Sequence, residues 1–286
     1  MTQTSQSVWK AGVRTTVLLA TLTGLLVVLG QLLGGPSLAL TFLVVGAVFN
    51  MGAYWFSDKI ALKMSRARPL SEEEAPRLHQ IVRELAHSAG LPMPRLYMIP
   101  ASQPNAFATG RSPKHAAVAV TEGITQLLSE SELRGVLAHE LAHVRHRDTL
   151  IQSVAATIGG AITWIGYSLL WFGGGDDNDS PLGLIAGLAM VILAPLAAMI
   201  IQMAISRQRE YAADATGAQI ARAPNALADA LERLEAGAKA MPMQVNAAAE
   251  PLYIVKPFSG QGVASLFSTH PPIEERVRRL RAMTVG

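Results

Sequence analysis

The chain has no cysteine in its 286 residues. That excludes disulfide staples and thiolate metal sites, so any metal it holds must be held by histidines and carboxylates. Charge is also scarce: 16% of residues are charged, against about 25% in an ordinary soluble chain. Half of the residues are hydrophobic and the mean hydropathy is +0.29. A soluble chain of this length is rarely so poor in charge, so the apolar residues must be clustered or embedded in a membrane. The net charge of +3 is small. Lys and Arg flank apolar runs instead of forming a patch of their own, which argues against a nucleic-acid partner and for a lipid bilayer.

Four apolar stretches reach the roughly 20 residues that a bilayer-crossing helix needs. They run from Thr15 to Gly34, Ser37 to Phe56, Leu150 to Phe172 and Pro181 to Ala204. The turn Gly34-Gly35-Pro36 parts the first two, which read as a helical hairpin. The first run is too long for a signal peptide, and the second follows it at once. The last two are joined by the glycine-rich, acidic connector Gly173 to Ser180. They are rich in Gly and Ala, and a helical hairpin buried in a soluble core is the alternative there. Lys10, Arg14, Lys59, Lys63, Arg66, Arg68, Arg145, Arg147, Arg207 and Arg209 all flank the outer ends of these runs, and neither hairpin tip carries a Lys or Arg. The positive-inside rule makes that common side cytoplasmic. The expected layout is a membrane hairpin over 1–56, a soluble segment over 57–149, a second hairpin over 150–205 and a second soluble segment over 206–286. Both termini and both soluble segments share the cytoplasmic side.

The soluble segments predict a helix over Ser71 to Ser88 with an acidic first turn, and short strands over Arg95 to Ile99 and His115 to Thr121. A helix begins near Gly123. Another opens on the capping box Ser129-x-x-Glu132 and runs straight on into the third span. Helices follow over Arg207 to Arg222 and from Pro224, with a basic helix from Ile273. A small sheet with a helical majority predicts an α+β fold, mainly α.

Chemistry concentrates in His139-Glu140-Leu141-Ala142-His143. Residues four apart share a helix face, so the two imidazoles can hold one zinc ion while Glu140 moves a proton beside it. The bland alternative is a surface helix that carries two histidines. A third ligand is required. The metzincin pattern would need a glycine at His146 and a histidine at Thr149, so that reading fails. His146 itself lies one turn too far along the helix to reach the metal. Glu210 and Asp214, four apart on a later helix, can supply one ligand and one hydrogen-bond acceptor for a ligating imidazole. Spacing does not say which does which, and Arg/Glu pairing on a solvated helix explains them equally well.

Together, the His139-to-His143 helix, the downstream Glu210-x-x-x-Asp214 helix, the hairpin between them, Asn105-Ala106-Phe107-Ala108-Thr109-Gly110 and Ser268-Thr269-His270-Pro271-Pro272 resemble the HtpX branch of the M48 metalloproteases. The family often has Asn-Gly where this chain has Arg145 to Arg147. The resemblance implies four transmembrane helices carrying a zincin-like cytoplasmic catalytic domain. It implies one zinc ion per chain on His139, His143 and Glu210, with Glu140 as general base and acid and Asp214 supporting a ligand. Asn105, Ala106, Phe107, Ala108 and Thr109 would form an edge strand that pairs with extended substrate; core packing for Phe107 and a turn for Asn105 are the alternatives. His270 would stabilise the oxyanion, or else cap the last helix. The implied activity is hydrolysis of misfolded or damaged membrane proteins at the inner membrane. An intramembrane site-2-type protease is disfavoured, because charged residues surround the motif and no Asp-Gly pair exists. A non-catalytic zinc scaffold would need a site closed by a fourth protein ligand.

Overall fold

The computed structural model describes residues 3–152, 154, 207–240 and 271–284. α1 runs Gln3–Met64. Within it Gly35, just before Pro36, takes φ 68, a left-handed conformation that glycine reaches easily and a regular right-handed helix does not contain. Gly35 belongs to the expected turn Gly34-Gly35-Pro36, yet helix is assigned on both sides of it without a gap. Among the described residues no single helix is long and apolar enough to cross a membrane. One bent pair, Gly35–Phe49 and Met51–Met64 at 42°, meets that test together. Leu40, Val44, Val48, Met51 and Trp55 on this stretch are exposed. The third and fourth expected spans lie outside the described residues beyond Val154.

The remaining elements are β1 (Arg68–Pro69), α2 (Pro76–Ala89), β2 (Arg95–Ile99), β3 (Ala106–Thr109), β4 (Ala117–Thr121), α3 (Glu122–Leu127), α4 (Glu130–His146), α5 (Arg207–Ala221), α6 (Pro224–Ala240) and α7 (Ile273–Arg281). The sheet order is β1-β2-β4-β3, with β2 and β4 parallel and the outer pairs antiparallel. β3 is therefore an edge strand. Alternate residues of the sheet face opposite ways. Ile99, Phe107, Ala117 and Ala119 pack on Ala61 and Leu62 of α1. Leu96, Ala106, Ala108, Val118 and Val120 join the larger core with α2, α4 and α6.

Three boundaries differ from the sequence reading, each for a local reason. α2 starts at Pro76 instead of Ser71. Ala75, which precedes the proline, sits at φ −142 and ψ 64, outside the helical region that a following proline disfavours. Ser71 to Glu74 close a turn instead: Glu74 Oε2 accepts from the Ser71 N–H at 3.0 Å, and Ser71 Oγ accepts from the Glu74 N–H at 3.3 Å. β4 starts at Ala117, because a tight turn over Pro113–His115 uses up His115. α4 opens on the expected capping box but does not run straight on. Arg147 takes φ 61 and closes the helix with an N–H bond to Val144 O at 3.2 Å, and the chain turns helical again over 148–152.

Candidate metal centre and active site

On α4 the i, i+4 spacing brings the Nε2 atoms of His139 and His143 to 3.2 Å. Both rings are buried, as is Glu140 between them. α5 crosses α4 at this level with almost no space between the backbones. A Cβ on Gly217 would stand 2.8 Å from both N and Cα of His139, so this crossing requires glycine. The crossing carries the Glu210 carboxylate to 3.5 Å from His143 Nε2 and 3.8 Å from His139 Nε2. Bonds of about 2.0–2.1 Å to a tetrahedral ion place its ligand atoms roughly 3.3 Å apart. The three separations in the pocket are close to that. Two imidazoles and a carboxylate, buried and convergent, fit a zinc-type ion.

The far side of each ring faces a carboxylate, with hydrogen-bond geometry at His143 and a close charge contact at His139. His139 Nδ1 lies 2.9 Å from Asp214 Oδ1, and His143 Nδ1 lies 3.3 Å from Asp148 Oδ2. A carboxylate on Nδ1 keeps the Nε2 lone pair turned inward. Asp214 is gripped in turn by Arg276 of α7, whose Nε and Nη2 donate to Oδ2 and Oδ1 at 2.8 and 2.7 Å. Neither Asp148 nor Arg276 is singled out by the sequence. A straight helix would carry Asp148 away from His143, and the turn at Arg147 is what returns it. Arg276 sits in a run of basic residues whose burial no local pattern reveals.

Charge in the pocket is heavily perturbed. Burial raises the Glu140 carboxyl to about 8, with Glu210 adding to the rise while His143 and a hydrogen bond from the Ala108 backbone oppose it. Burial pulls His143 down, but Glu210 and Asp148 outweigh it and push the ring up to about 9. Burial lowers His139 against the pull of Asp214. For Asp214 burial acts upward, yet the Arg276 guanidinium holds its carboxyl down at about 2.

β3 borders this pocket. Asn105 O accepts from the Thr121 N–H at 2.9 Å, and Phe107 and Thr109 stand opposite Ala119 and Ala117. In that antiparallel alternation Ala106 and Ala108 turn their backbone groups away from β4, toward the unpaired side of the strand, which is buried. There the Ala108 backbone meets Glu140, and the Ala106 N–H donates to Asn105 Oδ1 at 3.0 Å. Phe107 is fully buried against Ala61 and Leu62, so its ring belongs to the core. His146 lies away from the centre, its Nε2 at 3.2 Å from Thr216 Oγ1. His270 lies outside the described residues.

Comparison with known proteins adds independent findings. The family model described as Peptidase family M48 matches residues 72–284. A protein named Protease HtpX homolog from Pelotomaculum thermopropionicum is 54% identical over 274 residues, covering 94% of this chain and 98% of that one. A protein of the same name from Persephonella marina is 54% identical over 278 residues, covering 95% and 96%. Among solved structures, the crystal structure of S. mikatae Ste24p is similar at a TM-score of 0.50 and 19% identity, over 96% of this chain and 67% of that one. The last likeness concerns the fold alone.

Proposed function

The chain belongs to peptidase family M48, a family of metal-dependent peptidases, and from that premise we propose that it is a membrane-bound zinc endopeptidase of the HtpX type. It would cut misfolded or damaged membrane proteins at the cytoplasmic face of the inner membrane. The membrane hairpins would be 1–56 and 150–205, with the catalytic domain formed by 57–149 and 206–286. The observation that carries the reading is the convergence of His139 Nε2, His143 Nε2 and the Glu210 carboxylate beside the buried Glu140.

His139, His143 and Glu210 would hold one zinc ion, and Asp214 and Asp148 would orient the two rings. When bound, zinc supplies a Lewis acid that polarises the scissile carbonyl and brings the pKa of water toward neutrality. Glu140 takes a proton from the attacking water and delivers it to the leaving amine. For an extended substrate to pair with this strand, the Ala106 and Ala108 N–H groups would exchange their bonds to Asn105 Oδ1 and Glu140 for bonds to the substrate backbone. That mode reads little side-chain identity and so suits damaged substrates of many sequences. His270 would stabilise the oxyanion, so His270→Ala should lower turnover with normal zinc content; loss of zinc together with activity would contradict that role.

The deciding test is cleavage of casein by the purified, detergent-solubilised protein with added zinc, beside Glu140→Gln. Cleavage by the parent, lost in the variant although zinc stays bound, is the expected result. Equal behaviour of the two would remove the enzymatic role of this site and favour a zinc-binding scaffold.

A further inference from the structure

Arg276 is the largest fully buried side chain among the described residues, and it comes from a helix that supplies no proposed ligand. Val277 and Leu280 seat that helix, α7, in the main core. From there the guanidinium reaches across to α5. Its bond from Nη2 ends on Asp214 Oδ1, the oxygen that also faces His139 Nδ1 at 2.9 Å. The second bond, from Nε to Oδ2, stops the carboxylate from turning about its own axis. Nη2 also stands 3.9 Å from Glu210 Oε2. One planar cation thus touches the support of one proposed ligand and lies beside another. A fork of this kind is rigid where a lysine would be a swivelling point charge. An exposed ion pair would contribute little, but a fully buried one constrains whatever it holds.

We propose that Arg276 is a positioning residue for the metal centre. It locks the Asp214 carboxylate in the orientation that aims His139, and it thereby sets metal affinity from the C-terminal helix. The proposal rests on the reading of His139, His143 and Glu210 as ligands. Its consequence is that the docking of α7 and the holding of metal are coupled, although α7 contributes no ligand.

The test uses the full chain carrying Glu140→Gln, which removes self-digestion as a complication. Zinc affinity is measured by competition with a chromophoric chelator, and melting of the metal-free protein is followed in parallel. Arg276→Met and Asp214→Asn should each weaken zinc binding by about 10–100-fold. The double variant should be no weaker than the worse single one, because both changes remove the same restraint. Arg276→Lys should recover the melting temperature without recovering the affinity, since it keeps the charge and loses the fork. Arg276→Met that melts early but binds zinc normally would make Arg276 a mere anchor for α7 and overturn the proposal. Losses that multiply in the double variant would overturn it too. Should Arg276→Met fail to fold because the Asp214 charge is left buried, the double variant is read against Asp214→Asn alone. Equal affinity supports the proposal and a further loss ends it. A Glu140→Gln parent without zinc would defeat the ligand reading, and this proposal with it.

Discussion

Asp148 and Asp214 each stand beside the Nδ1 of one imidazole, but with different support. Asp214 has the Arg276 fork, whereas Asp148 has a looser contact with Arg209, at 3.7 Å. Asp148→Asn keeps the shape and removes the charge behind His143. Zinc affinity should fall by about 10–100-fold with the fold intact, as calorimetric titration of the metal-free protein would show. Unchanged affinity would mean that the 3.3 Å contact does not orient the ring. The pocket's protons lead to a pH dependence. His143 in the metal-free protein is raised from its ordinary 6.5 to about 9. The stability its protonation brings is therefore complete below 6.5 and lost as pH rises through 9. Glu140, raised from 4.5 to about 8, acts in the same sense over its own window. The metal-free protein should melt at falling temperatures as pH climbs from 6.5 to 9. The stabilisation by added zinc should grow over the same interval, because the ion must displace those protons. Scanning fluorimetry with and without chelator measures both trends, and a flat metal-free profile would contradict the raised proton affinities of His143 and Glu140.

Between elements, the decisive feature is the crossing of α4 and α5. The crossing has no room for a side chain at Gly217, where a Cβ would meet the His139 backbone at 2.8 Å. Gly217→Ala should push the helices apart and move Glu210 from the two Nε2 atoms. The cost is expected at about 1–3 kcal/mol of stability, the usual range for an overpacked core, together with lost zinc affinity. Gly52→Ala is the control, since its Cβ would find nothing within 4 Å. Equal melting temperatures for the two variants would show that the crossing tolerates a methyl group. The break at Arg147 is the second decision at this scale. It ends α4 where Asp148 can turn back to His143, so a helix end helps to build the pocket.

For the whole molecule, the relation of the site to α1 matters most. Exposed apolar side chains extend along α1 to Phe56, and Ala61 and Leu62 already pack on Phe107 of β3. At 1.5 Å per helical residue the rise from Phe56 to Ala61 is about 8 Å. The edge strand is therefore fixed close to the apolar stretch of the helix. With that stretch in a bilayer, cleavage should cluster in substrate loops near membrane spans. Mass spectrometry of peptides from a membrane substrate with a large distal soluble domain would reveal the distribution. Equal cutting of the distal domain would argue against a site held at the surface.

The sequence by itself determined whatever is local. The i, i+4 pairing of His139 and His143 and the capping box at Ser129 depend on residues within a turn or two of one another. Helix periodicity and backbone chemistry make such features legible. It also placed Glu210 and Asp214 on one face but left their roles even. Tertiary structure decided the rest. It set Glu210 against the Nε2 atoms and Asp214 against Nδ1 of His139, and it recruited Asp148 through a helix break and Arg276 from the far end of the chain. It also sent the Phe107 ring into the core. These outcomes depend on how closely two backbones approach and in which direction a third helix docks. Spacing along one chain carries no record of either, because the distances belong to segments that only packing brings together.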